Sequence, residues 1–220
     1  MDVKNESLQE LRHIKIMMER STKFSSLSGL SGIGAGICAL MGAWFGSRAI
    51  LAWQQGNTGD LDLYASRGDL ANRLLLIALS TFAASFIVAF IFIYLRCKKL
   101  HIGVLGFSAR RVMVNVAIPL AVGGLFIFRL TTLGTYELIS PACLIFYGLA
   151  LINASRYTLI EVRYLGFTEL IIGIINLWFL KYGLFFWGLG FGLIHIVYGM
   201  IFWMIYERDG ATKMVTSTNE

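Results

Sequence analysis

Residues 25–46 read SSLSGLSGIGAGICALMGAWFG, and the spacing of their small side chains decides the class of the fold. Ser25, Gly29, Gly32, Gly36, Ala39, Ala43 and Gly46 succeed one another at intervals of four and three. On a helix that spacing draws one nearly straight stripe, while Leu27, Leu30, Ile33, Ile37, Leu40 and Trp44 gather on another face. One face admits a neighbouring backbone and the other fills space. Among lipid tails, helices associate largely by close van der Waals approach, and stripes of small residues are where they meet. The segment reads as the hub helix of a membrane bundle.

The rest of the chain fits that solvent. Of its 220 residues 57% are hydrophobic and 15% charged, against about 25% charged in soluble domains, and the mean hydropathy is +0.69. The length allows one bundle and no separate soluble domain. A net charge of +6 does not indicate nucleic acid here, because Lys and Arg come in short clusters between apolar runs, as topology signals do. Cys38 and Cys143 lie inside apolar runs and Cys97 follows Arg96. No C-x-x-C pair and no disulfide framework is present in the sequence.

Six runs, at about 25–47, 73–95, 112–129, 137–154, 164–180 and 184–206, are apolar enough to cross a hydrocarbon layer at the helical rise of 1.5 Å per residue. The expected fold class is all-α, a polytopic transmembrane helix bundle of six spans. Ahead of it, residues 1–24 form a basic leader in which Leu8, Leu11, Ile14, Met17 and Met18 fall near one side of a helix. An amphipathic surface helix and a frayed basic leader both fit; its length and acids argue against a cleaved signal peptide. Residues 207–220 are polar and are expected to be a disordered tail. Fourteen of the nineteen Lys and Arg residues fall in the leader, 96–111, 155–163 and the tail, so both termini are expected in the cytoplasm of a bacterial inner-membrane protein. Pro119 predicts a kink in the third span. The fifth and sixth spans, joined only by Lys181, Tyr182 and Gly183, must form a tight antiparallel hairpin, and Gly188 and Gly192 give the sixth a second small-residue patch.

Polar groups within the spans are where function would reside. Counted from the inner ends of those spans, Asn176 and His195 lie at similar depth near the midplane. Glu169, five residues into the fifth span, lies roughly 9 Å nearer the cytoplasm by the helix rise and is not expected to pair with His195. Glu169, Asn176 and His195 either line a path for a proton, ion or small ligand, or act as interhelical glue, a neutral histidine bonded to an asparagine being worth about 1 kcal/mol. Asp60 and Asp62 could hold a divalent cation but lack a third ligand nearby, and Arg67-Gly68-Asp69 reads as a turn. The sequence contains no H-E-x-x-H, no G-x-S-x-G and no Gly-rich loop ending in Lys-Ser/Thr, so the common hydrolase and nucleotide chemistries lack their carriers. No catalytic residue, metal site or cofactor is expected.

The run MMERSTKFSSLSGLSGIGAGICALMGAW at 17–44 and WGLGFGLIHIVYG at 187–199 resemble a family of small six-span membrane proteins of Bacteroidota, often encoded near a winged-helix regulator. The LSGLSG entrance to the first span and the G-x-G-x-x-H-x-x-Y-G pattern of the sixth are the more specific parts. The resemblance implies a six-span membrane protein and brings with it no activity and no site residues. From the residues, an interaction or regulatory membrane protein ranks first, its basic leader and loop 96–111 meeting anionic lipid or a cytoplasmic protein. The alternative is a small transporter or channel using the last hairpin. A homodimer through the first or sixth span is a further expectation, and nucleic acid is not an expected partner.

Overall fold

Long runs rich in Leu, Ile, Phe and Ala fold as helices, and the computed structural model of the chain contains helices and no strand among its described residues, 28–56, 63–99 and 107–205. The leader 1–24, Ser25, Asp60, Asp62 and the tail 207–220 lie outside those residues. The long helices are α1 (Gly29–Gly56), α2 (Leu63–Lys99), α3 (Phe107–Thr132), α4 (Ile139–Ala154) and α5 (Ile160–Trp178). After a 3₁₀ turn at Leu180–Tyr182 the last helix comes in three pieces: α6 (Gly183–Trp187), a π-helical segment (Gly188–Ile194) and α7 (His195–Trp203).

Five helical stretches are long and apolar enough to cross a membrane: Gly29–Gln55, Gly68–Lys99, Ala109–Thr132, Tyr136–Ala154 and Leu180–Trp203. At 19 residues α5 has the length, but Glu161, Arg163 and Glu169 interrupt its apolar character. Several helices extend beyond the expected spans. α5 starts at Ile160 rather than about 164, with Glu161 in a first turn that favours acids. α2 starts at Leu63 rather than about 73, so Arg67-Gly68-Asp69 lies in a helix and is not a turn. One interior glycine costs a helix only about 1 kcal/mol.

Neighbouring helices run antiparallel, and glycines set how closely they cross. A Cβ built on Gly29 would strike the backbone of Gly199 and Trp203, one on Gly36 would lie 2.7 Å from Gly192 O, and one on Gly199 would lie 2.7 Å from both Gly29 O and Ile33 N. Further along the same seam Gly192 receives Leu40, Gly188 faces Ala43 and Gly46 faces Leu184. Ala39 is buried. Among the described residues the stripe on α1 is thus taken up by the last helix of the same chain. On another face α1 meets α2, where Gly34 lies against Val88 and Gly42 against Thr81. α4 and α5 cross equally closely, Gly148 and Gly166 each facing the other's carbonyl oxygen.

α3 runs unbroken through Pro119. Proline has no N–H, so the carbonyl of Asn115, four residues earlier, loses its helical donor. Asn153 on α4 supplies one, its Nδ2 donating to Asn115 O at 3.0 Å. The outward faces of α2 and α3 are broadly apolar, with Leu76, Phe86, Leu125 and Phe128 all at least 64% exposed. An apolar surface of that extent marks a contact with lipid or protein.

One end of the bundle carries Arg96, Lys98 and Lys99 in the last turn of α2, with Arg110, Arg111 and Arg163 on α3 and α5 near the same end. Below it is called the basic end.

Candidate functional site

Three polar side chains predicted from sequence are buried: Glu169 and Asn176 are 0% exposed and His195 is 7% exposed. The structure sorts them into two groups. Glu169 and His195 are together, with His195 Nδ1 3.3 Å from Glu169 Oε1, which overturns the expectation that they would not pair. Most of the expected 9 Å offset disappears with the early start of α5, since four added residues move Glu169 about 6 Å deeper. The two side chains span the remainder, as their 3.3 Å separation shows.

Asn176 is not level with His195 and does not bond it. It lies two turns beyond Glu169, near the far end of α5, and its Nδ2 donates to Ser140 Oγ at 3.0 Å. Ser140 in turn donates to Gly183 O at 2.7 Å. The oxygen of the Asn176 amide has no hydrogen-bond partner among the described residues.

His195 is held from three sides. Nδ1 lies 3.0 Å from Gly190 O, and Nε2 lies 2.9 Å from the Tyr147 hydroxyl. A carbonyl oxygen only accepts, so Nδ1 carries a hydrogen in either charge state. Nε2 is then the nitrogen that gains or loses a proton: the Tyr147 hydroxyl donates to it when the ring is neutral and accepts from it when the ring is charged. The π segment presents Gly190 O to the ring five residues further on, and π-helical insertions of this kind recur at functional sites. Glycine at 190 leaves room for both neighbours, because a Cβ there would fall 2.5 Å from Glu169 Oε2 and 2.6 Å from Leu144 Cδ2 and displace those side-chain ends.

Neither oxygen of Glu169 has a hydrogen bond, so the His195 ring is its only close compensation among the described residues. A buried carboxylate left in that state is costly unless it shares a proton or a positive charge. The pair is therefore a place where a proton is held in the interior. Between it and the Asn176 group sits Leu144, fully buried. A Cβ on Gly173 would lie 3.0 Å from Leu144 Cβ, so Leu144 occupies space that Gly173 and Gly190 leave open.

On the other side of His195 is a cavity of about 250 Å³. All six long helical units contribute to it, for example through Ser31, Ile93, Val116, Tyr147, Glu161 and His195. It reaches from Ser28 and Thr158 at the basic end down to Tyr147 and His195. Glu169 and Asn176 do not line it. Tyr147 and Ser140 were not singled out in the sequence, and Gly190 entered only as the first glycine of the G-x-G-x-x-H-x-x-Y-G pattern. A tyrosine in mid-span, seven residues after a serine, was the available signal for the first two.

No family model, no curated protein and no solved structure matches the chain.

Proposed function

We propose that the protein is a six-span, non-catalytic protein of the bacterial inner membrane, both termini in the cytoplasm, which moves a small solute or ion with the help of a proton held at His195. The reading is carried by one observation: the imidazole has its proton-exchanging nitrogen on Tyr147, a wall of the cavity, and its other nitrogen beside a buried carboxylate. Interhelical glue needs no cavity beside it.

The asymmetry of Lys and Arg supports this orientation, in which the basic end faces the cytoplasm. α5 serves as the remaining span: Glu161 and Arg163 fall at its entry, and Glu169, buried within it, is compensated by His195. The interaction reading drawn from the leader and loop 96–111 rests largely on residues outside those described. Exposed Arg110 and Arg111 fit anionic lipid headgroups at the same membrane face, which is compatible with transport.

The test is proton movement in vesicles. Purified protein in liposomes carrying an internal pH-sensitive dye is expected to dissipate an imposed pH gradient faster than empty liposomes, and His195→Ala and Glu169→Gln to remove the difference. Equal rates for wild type and empty liposomes, with and without candidate solutes, would overturn the proposal.

A further inference from the structure

We infer that the cavity opens sideways into the bilayer between α2 and α3 and holds the acyl chain of a membrane lipid, whether or not a proton moves at His195. The order of the helices around the cavity sets the opening. Among the described residues α2 packs against α1, α1 against α7, α4 against α5 and α3 against α4. α5 and α7 are joined beside the cavity by the Glu169 and His195 pair and by the hydroxyls of Thr168 and Tyr198, 3.3 Å apart. Among the same residues no packed seam joins α2 to α3. The ring of helices is therefore open at that place, and both of its edges line the cavity, with Ala89 and Ile93 on α2 and Val112 and Val116 on α3.

Outside the opening is hydrocarbon. α2 and α3 are both long and apolar enough to cross a membrane, and beside the four lining residues they expose Phe90, Ile91, Met113 and Val114. Ile93 and Ala89 lie roughly 9 and 15 Å along α2 from Lys99 by the helix rise, which is the depth of the upper acyl chain rather than of the headgroups. A lipid whose chain turns in at that depth has its headgroup at the basic end, level with the exposed Lys98, Lys99 and Arg110. Basic residues there attract an anionic headgroup.

The interior suits a hydrocarbon chain as well. Its walls are mainly apolar, with Leu151, Val162, Leu165 and Phe202 among them. The hydroxyls of Ser31, Tyr147 and Tyr198 already have partners in Ser28 O, His195 Nε2 and the Thr168 hydroxyl, so an apolar occupant leaves none of the three unpaired. Water held in a cavity needs two to four polar partners. Glu161, in the first turn of α5, stands at the basic end with the headgroups. A dry cavity of about 150 Å³ takes up benzene, and one of about 250 Å³ takes, in proportion, a chain segment of roughly ten carbons.

The probe is a phosphatidylglycerol with a diazirine midway along one acyl chain, mixed into vesicles that hold the intact protein; after irradiation the labelled residues are located by mass spectrometry. Label is expected on two sets of residues. The outward Phe86, Leu125 and Phe128 meet lipid in any case, while the inward Tyr147, Leu151 and Leu165 meet it only through the opening. Ala89→Trp, which narrows the opening from α2, is expected to lower the inward label at least fivefold and to leave the outward label unchanged. Val116→Trp narrows it from α3 and carries the same expectation should the first variant fail to fold. Absence of inward label in the wild type, or inward label that both tryptophan variants leave unchanged, would overturn the inference. Inward label without proton flux in the liposome assay would remove the transport reading and leave the lipid site standing. Flux without inward label would do the reverse.

Discussion

The hydrogen bond from Asn153 to Asn115 O can be tested by a cycle in which one substitution should make another harmless. In the wild type that carbonyl has lost its helical donor to Pro119 and receives Asn153 Nδ2 at 3.0 Å. Asn153→Ala leaves the carbonyl without a donor. Orphaning a buried acceptor costs about 1–3 kcal/mol, interhelical hydrogen bonds in membranes average about 0.6 kcal/mol with a maximum of about 1.7, and Asn153 is only half-buried. The expected loss is therefore about 1 kcal/mol. Pro119→Ala restores an N–H four residues after Asn115, and in that background Asn153→Ala should cost no more than a few tenths. The coupling, about 1 kcal/mol, can be read from reversible unfolding in mixed micelles of rising dodecyl sulfate content, followed by helical circular dichroism. An equal cost for Asn153→Ala with proline and with alanine at 119 would refute the assignment of Asn153 as the replacement donor.

Gly190→Ala puts a methyl group 2.5 Å from Glu169 Oε2 and 2.6 Å from Leu144 Cδ2; overpacking of this kind costs about 1–3 kcal/mol, so the unfolding midpoint should fall and the His195-dependent proton flux with it. Gly199→Ala meets backbone atoms, Gly29 O and Ile33 N, at 2.7 Å, which cannot swing aside. It should destabilise more than Gly190→Ala, while Gly124→Ala, with nothing within 4 Å, should leave the same midpoint unchanged or higher. Leu144→Ala empties the space between the Glu169 and Asn176 groups; buried Leu→Ala changes cost about 2–5 kcal/mol, and if Leu144 separates the two groups, proton flux per folded protein should rise. A destabilised variant with unaltered flux would show that Leu144 only fills space.

Helical class and membrane-length runs were legible because both are properties of composition over windows of about twenty residues. Gly29, Gly32 and Gly36 could be picked out by spacing alone. Their partner could not, since Gly192 and Gly199 lie about 160 residues away in sequence. The Glu169 and His195 pairing was missed for a local reason: the polar link at 155–163 looks like a loop, and a helix start at Ile160 rather than after Arg163 shifts every depth in α5 by about a turn. Tyr147 escaped notice because a tyrosine in an apolar run is an ordinary space-filling residue until a partner is known. The π segment has no signature beyond three alternate glycines at 188, 190 and 192, a pattern equally compatible with a plain α-helix.

That segment makes the geometry depend on chain length as much as on residue identity. Removing any one residue between Gly188 and Ile194 would let the last helix close into continuous α register. Everything after it would turn by about 100° and draw back about 1.5 Å relative to α6. His195 would leave Glu169 and Tyr147, and Gly199 would leave Gly29, though no side chain of the site had been substituted. A single-codon deletion here is therefore a larger event than most substitutions. Where two sequences are aligned across it, one gap in this stretch would mark a different site and a different seam.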